Sequence, residues 1–133
     1  MFQNKTINLN ILIAGGRDYV DYQRLQKFVD ETICSLNHAY ETVTIISGMA
    51  RGADMLGVQY SIQNNYKLIK FPAQWNTYGK RAGFIRNKQM LDYLKTSQDN
   101  GMVIAFWNGV SSGTKHTINT AKQMDIPCVI CSY

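Results

Sequence analysis

The sequence predicts an α/β fold with a doubly wound parallel sheet of about five strands, ordered 3-2-1-4-5, and helices on both faces. Three observations carry this expectation. Short apolar runs alternate with segments whose apolar residues recur at helical spacing, giving β-α-β-α-β-α-β-α-β over 133 residues. The runs include stretches apolar on both faces, as in strands buried inside a parallel sheet. Glycine-bearing turns follow the first, second and fourth runs, where such sheets place their ligand loops.

Met1 to Thr6 reads as a loose start, and Ile7 to Ala14 (INLNILIA) as the central first strand, ended sharply by Gly15-Gly16-Arg17-Asp18. Asp21 is placed to cap a helix on which Leu25, Phe28, Val29, Ile33 and Leu36 share one face. Thr42 to Ser47 is the second strand, Ala53 to Asn64 a helix, and Tyr66 to Phe71, closed by Pro72, the third strand. Ala73 to Gly79, with Trp75 and Tyr78, lacks periodicity and reads as a loop long enough to lie over a site. Lys80 to Thr96 is helical, with Asn87 on the stripe formed by Gly83, Met90, Leu91 and Leu94. Gly101 to Trp107 is the fourth strand and Asn108 to Gly113 a polar turn. Thr114, Thr117, Ile118 and Ala121 give the last helix its buried face, and Ile126 to Ile130 is a short final strand. With no repeat, low-complexity tract or linker, the chain reads as a single domain, residues 1–133.

Hydrophobic residues at 45% and charged residues at 17% exclude a disordered chain. No apolar run approaches the roughly 20 residues that span a bilayer. The N-terminus lacks a signal-peptide pattern, so a cytoplasmic protein without a membrane partner is expected. Cys34, Cys128 and Cys131 fit free buried thiols in a reducing compartment. In a strand Cys128 and Cys131 point to opposite faces, and no second cysteine pair exists, so no metal site is expected. His38 and His116 have no partners at ligand spacing and read as surface residues. The formal charge of +5 points to an anionic partner. Much of it lies in Lys80, Arg81, Arg86, Lys88 and Lys95, which indicates a local anion site rather than a nucleic-acid tail.

Ligands of such sheets bind beyond the carboxyl ends of the strands, at the reversal of strand order, here between the first and fourth strands. The first strand delivers Gly15, Gly16, Arg17 and Asp18 there, the fourth delivers Trp107, and the Ser47–Asp54 turn lies beside them. A strand that ends in Ser47-Gly48 and turns at once into a helix exposes N–H donors suited to a phosphate. Gly48 and Gly52 let the backbone bend, Arg51 adds charged donors, and Asp54 caps the helix or accepts from a sugar hydroxyl. Ser112-Gly113-Thr114 opens the last helix in the same manner. Arg86 and Arg81 are candidates to reach the ligand, and Asn87 is a polar group on an apolar stripe that needs a partner. Trp75, Tyr78 and Trp107 are candidates to stack on a base; Trp107, at a strand's end, has the better position and is the expected neighbour of the base, with Trp75 read as core cover. The dinucleotide fingerprint, the Walker motif and the hydrolase elbow are all missing, and no cofactor is expected.

Four pieces of the chain carry a resemblance: Gly15-Gly16-Arg17-Asp18-Tyr19, Ser47-Gly48-Met49-Ala50-Arg51-Gly52-Ala53-Asp54, Arg81-Ala82-Gly83-Phe84-Ile85-Arg86-Asn87, and Ser112-Gly113-Thr114. In order and spacing they cover nearly the whole chain, and they resemble the SLOG superfamily of Rossmann-like nucleotide-binding proteins, notably its small YspA-like members. The second piece also resembles a loop of DNA-processing proteins of the DprA type. The resemblance implies a nucleotide or nucleotide-derived ligand and a homo-oligomer. The superfamily's phosphoribohydrolases act on ribose with an arginine on the third helix and a glutamate after a Gly-Thr turn. Arg86 matches the arginine position, whereas Thr117 stands where the glutamate would be. A domain that senses or sequesters its ligand is the first expectation. An N-glycosidase acting on a nucleoside 5′-monophosphate, with Arg86 and Asp54 as candidate catalytic residues, is the second, and single-stranded DNA binding the third.

Overall fold

The computed structural model describes residues 7–133, so the loose start expected for Met1 to Thr6 lies outside the described residues. The strand Asn8–Gly15 (β1) is central because its side chains are apolar in both directions. Leu9, Ile11 and Ile13 enter a core layer on one face of the sheet, and Leu12 and Ala14 enter the layer on the other, as period-two alternation requires. The strands Thr42–Ser47 (β2) and Asn100–Trp107 (β4) pair parallel to β1, with Ile11 between Ile45 and Met102. Lys67–Lys70 (β3) and Cys128–Ser132 (β5) complete the sheet in the order β3-β2-β1-β4-β5.

The first core layer is covered by Tyr22–Cys34 (α1) and Ala53–Gln63 (α2). Asp21 caps α1 as expected, its Oδ1 accepting from the Arg24 N–H at 3.1 Å. The second layer is covered by Ala82–Thr96, which becomes α4 after the single turn Trp75–Tyr78 (α3), and by Ser112–Gln123 (α5). The stripe Met90, Leu91 and Leu94 is buried, as are Thr114, Thr117, Ile118 and Ala121. None of the described helices is long and apolar enough to cross a membrane.

Four local expectations are corrected. The segment Ala73 to Gly79 is not irregular throughout, because it contains α3 and leads into a 3-10 turn, Gly79–Arg81. A single turn carries too few residues to show periodicity. The last strand starts at Cys128 rather than Ile126: the Ile126 N–H closes α5 by donating to the Ala121 carbonyl at 2.9 Å, and Pro127 has no N–H to give to a ladder. Cys34 is exposed, since it falls one residue past the Leu25–Val29–Ile33 stripe, while Cys131 is buried and Cys128 half-buried on the opposite face of the sheet. His116 is half-buried, its ring 4.4 Å from that of Phe84.

Candidate functional site

The carboxyl ends of β1 and β2 are locked together before any ligand is considered. Gly16 donates its N–H to the Phe106 carbonyl at 3.1 Å, and its own carbonyl accepts from the N–H groups of Tyr19 and Ala53. Gly52 has φ of 83°, and a Cβ there would stand 2.3 Å from the Gly16 carbonyl oxygen. Gly15 is equally enclosed, since its Cβ would fall 2.5 Å from the Phe106 carbonyl oxygen. These glycines let two turns and β4 touch backbone to backbone.

Beside this junction lies a cleft of about 660 Å³, in the range of small-molecule sites. It is lined by Gly15, Gly16, Arg17 and Asp18 from the β1 turn, Arg51 and Asp54 from the β2–α2 turn, Arg86 and Asn87 from α4, and Ser112, Gly113 and Thr114 from α5. An adjoining lobe of about 580 Å³, which includes Gly48, shares Arg17, Ala50, Arg51, Trp75 and Arg86 with it. Arg17, Arg51, Lys80 and Arg86 outnumber Asp18 and Asp54 around the main cleft, so its field favours an anion.

Arg86 is buried yet lines both lobes. Its Nη1 donates to the Gly48 carbonyl at 2.5 Å and its Nε to Asn87 Oδ1 at 2.9 Å. Asn87 Nδ2 reaches the Gly113 carbonyl at 3.3 Å, so the buried amide has its partner. The remaining guanidinium N–H groups have no acceptor among the described residues. Asp54 accepts from the Ala50 N–H through Oδ2 at 3.2 Å. Burial pushes its carboxyl up to about 6, against the lowering effects of Arg86, the Ala50 and Gly15 N–H groups and Arg17. A buried carboxyl with a shifted pKa beside a buried cation in a cleft is a recognised mark of a functional site. Asp18 Oδ1 is held by the Tyr133 hydroxyl at 2.6 Å.

The β2–α2 turn keeps only part of the row of free donors expected from its sequence: the N–H groups of Arg51 and Gly52 have no acceptor among the described residues, but others are taken. Its Met49 N–H donates to Ser47 Oγ, its Ala50 N–H to Asp54, and its Ala53 N–H to the Gly16 carbonyl. Ser47 and Gly52 are therefore structural, and neither lines the cleft. The first turn of α5 is open as well. Ser111 makes no side-chain cap, its Oγ lying 3.2 Å from the Thr114 hydroxyl instead. The N–H groups of Ser112, Gly113 and Thr114 have no acceptor among the described residues. A Cβ on Gly113 would meet nothing within 4 Å, so protein packing does not require the glycine.

Arg81 and Trp107 also stand outside the cleft. Arg81 is exposed on the turn before α4, one residue ahead of the helix. Trp107 packs against the second core layer and donates its Nε1 to the Ser111 carbonyl at 3.1 Å. Trp75 borders both lobes, and Lys80, Phe84 and Thr117 line the main one. Lys80 carried a signal in its basic segment. Trp75 carried one in its loop, read as long enough to lie over a site, whereas Phe84 carried none, because its placement depends on how α4 docks.

The sequence profile of the YspA, cpYpsA-related SLOG family matches residues 9–78, from β1 to α3. The chain is also similar to the Gene 61 protein of Mycobacterium phage D29, 27% identical over 124 residues that cover 90% of this chain and 93% of that protein. The profile spans more than half of the chain and contains the glycine turns that lock β1 to β2, and on that match this chain belongs to the YspA, cpYpsA-related SLOG family.

Proposed function

We propose that the cleft binds a nucleotide or nucleotide-derived ligand, with its phosphate against the first turn of α5, and that the protein senses or sequesters this ligand. SLOG membership indicates nucleotide-related binding or processing in general. The observation that carries the finer reading is the open start of α5. Three unpaired N–H groups, the positive end of the helix and the space at Gly113 face a cleft that also holds Arg17, Arg51 and Arg86. A thermal-shift titration with nucleoside mono- and diphosphates tests it. A ligand raises the melting temperature of the parent protein, and Ser112→Asp, which places a carboxylate on an exposed first-turn position, removes that shift while leaving the fold intact. Unchanged binding in Ser112→Asp rejects the phosphate position.

Asp54 favours a second reading. A carboxyl held at about 6 exchanges protons readily near neutral pH. In an N-glycosidase acting on a nucleoside 5′-monophosphate it would take a proton from the water that attacks the sugar carbon, with Arg86 fixing the ribose phosphate. Thr117 lines the cleft but provides no carboxylate for that task. Release of free base and ribose 5-phosphate by the parent protein, lost in Asp54→Asn, would establish this reading; intact nucleotide after incubation rejects it.

A further inference from the structure

Trp75 and Phe84 stand at the cleft 49% and 48% exposed, and neither belongs to a core layer. Large aromatic side chains are usually covered, so two of them half-open at one mouth call for an explanation. Phe84 is held from one side by the His116 ring at 4.4 Å and an interplanar angle of 32°. Trp75 has no aromatic partner among the described residues, and it lies against α4 over a glycine: a Cβ on Gly83 would stand 3.6 Å from its Cη2. Arg17, Arg51 and Arg86 line both lobes together with Trp75. A half-exposed indole in the same lining as these cations matches a ligand that joins a flat heteroaromatic ring to a phosphate.

We infer that Trp75 is the stacking platform for the base of the ligand, with Phe84 bordering the same space, an inference that rests on the nucleotide reading above. Trp75 thus takes the place that the sequence assigned to Trp107. Recognition through a ring face follows stacking area and tolerates exchange of the groups on the base edge. Purine nucleotides therefore bind more tightly than pyrimidine nucleotides, and adenine and guanine nucleotides bind alike.

The two tryptophans, Trp75 and Trp107, make the experiment specific. The full chain is titrated with adenosine, guanosine and uridine 5′-monophosphates and with ribose 5-phosphate, following tryptophan emission and calorimetric affinity. Adenosine 5′-monophosphate quenches the parent protein, and the quench persists in Trp107→Phe but disappears in Trp75→Phe, whose affinity stays within a few fold. Trp75→Leu weakens adenosine 5′-monophosphate by roughly tenfold to a hundredfold and leaves ribose 5-phosphate unchanged. Full nucleotide affinity in Trp75→Leu, or ribose 5-phosphate binding as tightly as the nucleotide, overturns the platform while the phosphate site stands. Failure of the parent protein to bind any of the four overturns the underlying reading and the platform with it.

Discussion

Arg86, near the start of α4, donates Nη1 to the carbonyl oxygen of Gly48, just beyond β2, at 2.5 Å. Through Asn87 the same guanidinium is tied to the Gly113 carbonyl in α5. One charged group thus links the two turns that flank the switch point of the sheet, and it still faces both lobes of the cleft. Arg86→Lys keeps the charge but cannot serve both acceptors from one fixed fork. It leaves a buried acceptor unsatisfied and destabilises the fold by about 1–3 kcal/mol. A denaturant midpoint equal to that of the parent protein would show that the link carries no stability.

Two glycines respond in opposite ways to alanine. At Gly52, φ of 83° and the 2.3 Å approach to the Gly16 oxygen make Gly52→Ala destabilising by more than about 3 kcal/mol. At Gly113 the added methyl meets open space inside a helix, so Gly113→Ala stabilises the free protein by up to about 1 kcal/mol. The same methyl occupies the cleft and weakens nucleotide binding. Thermal melts with and without ligand check both signs, and equal ligand shifts in parent and Gly113→Ala proteins would place the ligand elsewhere.

The pH dependence of Asp54 has a definite sign. Its folded pKa, raised from 3.8 to about 6, means that the folded state holds the proton more tightly than the unfolded state. The associated stability is therefore full below pH 4 and is lost as pH rises through 6, by about 3 kcal/mol in all. Asp54→Asn has no such transition. The stability difference between parent and Asp54→Asn, measured by denaturant unfolding from pH 4 to 8, turns against the parent as pH rises. Parallel pH profiles would mean that the carboxyl titrates as it does in solvent.

The three thiols separate by access. Cys34 is exposed, Cys131 is buried, and burial pushes the half-buried Cys128 thiol up. Under native conditions Ellman's reagent therefore reacts promptly with one thiol, and Cys34→Ser removes that fast phase. Two fast thiols in the parent protein would show that the β5 edge opens.

The sequence by itself determined the architecture and the end of the sheet at which the cleft lies. Apolar runs of strand length separated by helical stripes admit few arrangements, and the right-handed crossover fixes which strands neighbour β1. The glycine turns at Gly15, Gly48 and Gly113 were legible as glycines at strand ends and a helix start, but close packing requires the glycine only at Gly15 and Gly48, while Gly113 faces open space. What the tertiary structure alone decided was how the donors of those turns are shared out. Ala53 gives its N–H to the Gly16 carbonyl, a neighbour close only in the folded chain, and Met49 and Ala50 give theirs to side chains of their own turn, whereas Ser112, Gly113 and Thr114 in the first turn of α5 keep theirs free. It also packed Trp107 against the second core layer and left Trp75 at the cleft. A residue's spacing fixes its face on a local element. Which partners satisfy it depends on contacts between elements distant in sequence, and no local pattern records those.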